Sequence, residues 1–198
     1  MKYISTNEGS DVLTAVLNPL QFKSQIFCYG EFTAPWAVKL PASDFAHFHV
    51  CERGQGWLKL AESESQISLA SGDLVILPHG NAHVLRDNPK SRAVTAVTLD
   101  KLLKQRSLKD HIVLYGGGGS ETTVVCGSFQ FENQIGNPII SLLPTLIHVP
   151  HNDTRTGVCQ KPMLKVLAHE AQNPSEGSGS IISHLTALLS QRFVSRWR

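Results

Sequence analysis

The sequence has few cysteines, and it spaces them too widely for a metal or redox motif. Cys28, Cys51, Cys126 and Cys159 include no CxxC pair, which excludes a zinc ribbon or a thioredoxin-like element. No apolar run nears the roughly 18 residues needed to span a bilayer. The opening 1-MKYISTNEGSD-11 lacks a signal-peptide apolar region. These absences point to a cytoplasmic protein with reduced thiols and no membrane partner. Excess charge is missing too: 18 Lys+Arg against 16 Asp+Glu leave a net +2. That is too little for the concentrated basic face that nucleic-acid binding requires, so no direct DNA contact by this chain is expected. What is there, 198 residues with 41% hydrophobic and 17% charged, suits one well-buried domain with an appendage.

Organisation follows from periodicity. In 10-SDVLTAVL-17 the apolar positions behind Ser10 suit a short helix, which Asn18-Pro19 ends. From about residue 20 to residue 99, short β-type runs alternate with turn residues: 25–32, 36–40, 46–52, 56–61, 66–70, 73–78, 82–86 and 93–99. Such spacing indicates a sandwich or barrel rather than βαβ units. Residues 100 to 120 interrupt it with the basic stretch 101-KLLKQRSLK-109 and then Gly116 to Gly119. A phosphate-cradling loop needs Lys and Ser/Thr after its glycines, but Ser120, Glu121 and Thr122 follow, so the segment reads as a mobile loop. β-type sequence resumes at 122-TTVVCGSFQF-131, and from Asn137 onward the pattern turns helical.

Two helices are expected there, about 162–172 with Pro162 in the first turn, and about 180–197 after the Ser/Gly hinge 175-SEGSGS-180. In the second, Ile181, Ile182, Leu185, Leu188, Leu189, Phe193, Val194 and Trp197 recur at helical spacing. Such a face is buried either on its own domain or in a homodimer interface. The expected division is a β-type domain over 1–150, a sandwich or barrel, and a helical segment over 151–198.

The most specific stretch is 67-ISLASGDLVILPHGNAHVL-85. Gly72-Asp73 makes a tight turn, with Asp73 capping it, and Pro78 and Gly80 bend the chain again. His83 then shares a strand face with Leu85, while Ala82 and Val84 point the other way. The spacing Gly72, Pro78, Gly80, His83 resembles the second motif of the cupin superfamily, whose histidine is often one of four metal ligands. The first cupin motif, His-x-His, a short gap, Glu, six residues, Gly, fits poorly. Counting back from Gly54 puts His47 in the glutamate's place, and 40-LPAS-43 stands where the histidines belong.

A narrower resemblance spans nearly the whole chain. The segments 34-APWAVKLP-41, 48-FHVCERGQGWLKL-60, 69-LASGDLVILPHGNAHVL-85, 117-GGGSETTVVCGSFQF-131, 137-NPIISLLPTLIHV-149 and 164-LKVLAHEAQ-172 are similar, in that order, to the N-terminal ligand-binding domain of AraC-family transcription regulators. The resemblance implies a mainly β fold, a cupin-like double-stranded β-helix (jelly-roll) barrel followed by C-terminal α-helices. It also implies a non-enzymatic role, sensing a small-molecule effector and dimerising. The family's DNA-binding domain, with two helix-turn-helix motifs, is not among these residues. The competing expectation is a small metal-dependent cupin enzyme, a dioxygenase or isomerase.

Ligand-binding candidates are His47, His49 and His83 for polar contacts, with Trp36 and Trp57 as walls, and Phe45 and Phe48 as further aromatic candidates. No cofactor is expected. The alternative is zinc or another divalent metal on a non-standard set of His47, His49, Cys51 and His83. Arg53, beside Gly54, reads as solvated.

Overall fold

The computed structural model of the protein describes residues 22–90, 96–105, 112–131, 141–152, 157–173 and 175–194. The helix expected over 10–17 lies outside the described residues. Eleven strands are present among them: β1 (Phe22–Thr33), β2 (Ala37–Leu40), β3 (Ala46–Arg53), β4 (Gln55–Leu60), β5 (Gln66–Ala70), β6 (Leu74–Leu77), β7 (His83–Arg86), β8 (Val97–Thr98), β9 (Ile112–Gly116), β10 (Glu121–Phe131) and β11 (Ile147–Val149). Three helices accompany them, α1 (Leu99–Gln105), α2 (Gly157–Gln172) and α3 (Ser178–Val194).

The strands form a six-stranded sheet in the order β11-β6-β3-β10-β1-β9 and a five-stranded sheet in the order β5-β4-β7-β2-β8. Neighbours distant in sequence mark the jelly-roll winding that the family resemblance implies. Period-2 alternation sorts the side chains of the larger sheet. On β3, Ala46, Phe48 and Val50 join one core with Leu164, Leu167, Ala168 and Ile182 of the helices. Cys51 joins a second core with Leu58 and Leu85 of the smaller sheet. The larger sheet is therefore covered on both faces, by α2 and α3 outside and by the smaller sheet inside. That is why β6, LVIL, is buried at all four positions.

Three features differ from expectation. Residues 112–116 form β9, parallel to β1, and the glycine stretch after it is hydrogen-bonded to Thr33 and Ala34. The amides of Gly117 and Gly119 donate to Thr33 O and Ala34 O at 2.9 and 2.8 Å, Gly118 N donates to Thr33 Oγ1, and Ala34 N donates to Ser120 O. Glycine is needed there because Gly116 has φ +140 and a Cβ on it would overlap the Thr33 carbonyl. The region after Asn137 is not wholly helical: Ile147, His148 and Val149 pair with Ile76, Val75 and Leu74. Finally, α2 begins five residues before Pro162, which lies inside the helix.

The bulge in β1 matters for the interior. Ile26 pairs with Gly127 and Cys28 with Cys126, leaving Phe27 as the extra residue. Phe27 and Cys28 both pack with the inner core, while Ile26 and Tyr29 pack with the helix side.

Candidate functional site

Three histidines meet inside the barrel. His47 and His49 enter from β3 in the larger sheet, and His83 enters from β7 in the smaller one, flanked in register by Leu40 and Leu60. His49 and His83 are fully buried and His47 is 7% exposed. The His49 and His83 Nε2 atoms lie 2.8 Å apart, so one hydrogen bond crosses from sheet to sheet. His47 stands edge-on to His83, with ring centroids 5.5 Å apart, and to Phe27, at 6.2 Å.

Hydrogen bonding fixes the tautomers of the pair. His83 Nδ1 donates to Asn81 O at 2.7 Å, so the neutral ring keeps a lone pair on Nε2. His49 must then donate from its own Nε2, which leaves its Nδ1 a bare acceptor. That atom is buried and has no partner, and neither has His47 Nδ1. The His47 Nε2 is bonded to Ser43 Oγ at 2.9 Å.

All three rings are held neutral near pH 7. Burial pushes His83 down to about 4, offset in part by its bond to Asn81 O. Burial, then the neighbouring His83 and His47, pushes His49 well below the usual histidine range, and burial lowers His47 as well. The arrangement is thus a neutral polar cluster in an apolar interior, able to accept hydrogen bonds from a guest.

The aromatic candidates part company. Trp36 is inside, fully buried and stacked on Phe32 with centroids 4.8 Å apart. It stands before β2, four residues from Leu40, the register partner of His83, and so roughly 13 Å along the strand direction at the usual rise. Trp57, expected as an inner wall, is not one. Leu58 faces the inner core, so alternation turns Trp57 outward, in register with Arg86 and Ser68. Phe48 faces the helices, stacked with Phe129 at 6.4 Å, and Phe45 is 42% exposed. Arg53 pairs with Glu121 at 3.0 Å, both largely exposed, an interaction worth little. At that end of the barrel, away from the histidines, a cavity of about 490 Å³ is lined by Glu31, Phe32, Thr33, Arg53, Tyr115 and Glu121 among others.

The zinc set of His47, His49, Cys51 and His83 does not assemble. Cys51 Sγ points to the carbonyls of Arg53 and Gly54 at 3.7 Å, and burial pushes its thiol up to about 12. His47 directs its Nε2 at Ser43. Among the described residues, no group of three or more His, Cys, Asp or Glu side chains is placed to hold a metal ion. The donors present do not fit the metal that a cupin barrel commonly carries.

Asp73 does more than the turn capping expected of it. Its Oδ2 accepts from Ala70 N at 3.0 Å and from His148 Nε2 at 3.0 Å, and its Oδ1 accepts from His151 N at 2.7 Å and His151 Nδ1 at 2.9 Å. Burial opposes the charge, but these four bonds outweigh it and lower the carboxyl's pKa. No local pattern around Asp73 signals this, because His148 and His151 lie some 75 residues away in a stretch that reads as helical.

The profile of the family described as Cupin (Cupin_6) matches residues 11–197. The chain belongs to the Cupin_6 family. Among curated relatives of this cupin, the HTH-type transcriptional regulator AlkR of Acinetobacter baylyi is 23% identical over 180 residues, covering 90% of this chain and 58% of its own. A putative AraC-like transcription regulator of Streptomyces lividans is 25% identical over 179 residues, covering 90% of this chain and 57% of its own. The cupin thus spans somewhat more than half the length of these relatives. Among solved structures, apo ToxT K231A of Vibrio cholerae has a TM-score of 0.49 at 8% identity, covering 89% of this chain and 57% of that one. The AraC-type resemblance drawn from the ordered segments agrees with the names of these relatives.

Proposed function

We propose that this cupin is the sensing part of an AraC-type transcription regulator, non-enzymatic and cytoplasmic. It takes a small-molecule effector at His47, His49 and His83 and pairs with a second copy through α3. DNA contact then falls to a separate domain of the regulator. The observation that carries this reading is the His49–His83 bond across the two sheets, with a bare buried acceptor on His49 and an unpartnered buried Nδ1 on His47 in an apolar interior. Small-molecule sites have this composition, apolar walls with a few convergent polar groups. Bare nitrogen lone pairs favour a guest that brings hydrogen-bond donors, such as a hydroxylated compound.

For the dimer, Ile181 and Leu188 on α3 are 41% and 52% exposed, while Ile182 packs against the larger sheet. The helix thus presents one apolar face inward and a second outward. The trait that supports a non-enzymatic role is the donor set, in which only two imidazole nitrogens converge among the described residues.

The test is a thermal-shift screen of hydroxylated small molecules on the chain and on the His49→Leu/His83→Leu variant. Compounds that raise the Tm of the wild type are expected to leave the variant unmoved. Equal shifts in both would overturn the site. Stoichiometric iron, manganese or nickel bound through His83 in the purified protein would overturn the sensor reading itself, and a strictly monomeric mass at micromolar concentration would overturn the dimer.

A further inference from the structure

The inward face of the larger sheet carries a row of chemistry that effector sensing leaves unused. In register, Cys28 of β1 stands opposite Cys126 of β10, Cys126 opposite His49 of β3, and His49 opposite Val75 of β6. The bulge at Phe27 sets this alignment, because it turns Cys28 inward immediately after another inward residue. The two thiols are free, 1% and 2% exposed, and belong to the same inner core.

They also touch. The neighbouring Cys28 and then burial push the Cys126 thiol well above the usual thiol range. Directly opposed residues of antiparallel strands have Cα atoms roughly 4.5 to 5.5 Å apart. That lies inside the roughly 4.4 to 6.8 Å that a disulfide spans, so closing the bond calls for side-chain rotation and not for moving a strand. The third buried cysteine is not a competitor: Cys51 pairs in register with Val124 and turns its sulfur to the carbonyls of Arg53 and Gly54.

We propose that Cys28 and Cys126 form a reversible oxidation site inside the barrel, closing to a disulfide with hydrogen peroxide as the co-reactant. In this reaction the Cys28 sulfur is oxidised first. That sulfur attacks one peroxide oxygen, the O–O bond breaks, and the departing oxygen leaves as water with the Cys28 proton. Cys28 is then a sulfenic acid. The Cys126 sulfur attacks Cys28, the S–O bond breaks, and a second water leaves with the Cys126 proton. Two thiols and one peroxide give one disulfide and two waters; the sulfurs lose two electrons and the peroxide oxygens gain them. A dithiol such as dithiothreitol reverses the reaction by exchange.

The proposal is independent of the effector. It is tested on the folded chain treated with hydrogen peroxide, then alkylated with N-ethylmaleimide in denaturant and digested without reduction for mass spectrometry. The expected product has lost two hydrogens and yields a peptide linked through Cys28 and Cys126. The link disappears with dithiothreitol and persists in Cys51→Ser and Cys159→Ser. In Cys126→Ser, the expected product is a sulfenic acid on Cys28 that dimedone traps. The proposal is overturned if Cys28 and Cys126 stay alkylated after peroxide, if the main link involves Cys51 or Cys159, or if the link forms only when peroxide is added in urea.

Discussion

His49 and His83 join the two sheets through a single Nε2–Nε2 contact of 2.8 Å, with both rings fully buried. Removing one partner strands a buried donor or acceptor of the pair, whereas removing both leaves only the Asn81 carbonyl without its imidazole donor. His83→Leu alone is therefore expected to destabilise the fold by about 1 to 3 kcal/mol, and His49→Leu/His83→Leu by less than the single change. Urea unfolding measures both, and a double variant weaker than the sum of the singles contradicts the pairing.

The same cluster sets an acid limit. Because burial holds His83 at about 4 and His49 well below its usual range, the unfolded chain binds protons that the folded one refuses. Stability is fully present above the ordinary histidine value of about 6.5 and declines as pH falls toward about 4, by on the order of 3 kcal/mol for His83 alone. Asp73, lowered, adds a loss in the same direction at still lower pH. Urea midpoints should fall steadily over this range, and less steeply in His49→Leu/His83→Leu. A flat profile in the wild type would refute the neutral cluster.

Two glycines in one loop should respond very differently. Gly118 has φ +86, and a Cβ added to it would meet nothing within 4 Å, so Gly118→Ala is expected to cost only backbone strain, about 1 kcal/mol. Gly116→Ala adds a collision with the Thr33 carbonyl, for a loss of roughly 3 kcal/mol or more. Thermal unfolding of the pair decides it; equal losses would mean that the loop is not stitched to residues 33 and 34.

The tryptophans divide in the same way. Trp36→Ala empties a fully buried site and is expected to cost roughly 3 to 5 kcal/mol. Trp57→Ala, on the outer face, should cost about 1 kcal/mol and leave effector-induced Tm shifts intact. Loss of those shifts in Trp57→Ala would return that residue to the pocket.

Much of the barrel is readable in the sequence because strand alternation and turn residues are local. The Gly72, Pro78, Gly80, His83 spacing fixes where β6 ends and β7 begins, and places His83 and Leu85 on one inward face, as the burial of β7 repeats. The three histidines are legible for the same reason. Trp57 misleads because its aromatic character outweighs its phase relative to Leu58. Other differences are non-local. β11 has three residues and exists only by pairing with β6. The role of Asp73 depends on a segment about 75 residues away. The bulge at Phe27 is defined by the partner strand, and with it the opposition of Cys28 and Cys126.

β6 has one further implication. Leu74 and Ile76 belong to the core shared with the helices, and Val75 and Leu77 to the core inside the barrel. Four residues thus form a diaphragm, one peptide layer thick, between the inner core and the helical side. Close-packed walls of this kind do not absorb displacement, they pass it on. A change of side-chain volume at Val75 or Leu77 is therefore felt in the packing of Leu74 and Ile76 against the helices.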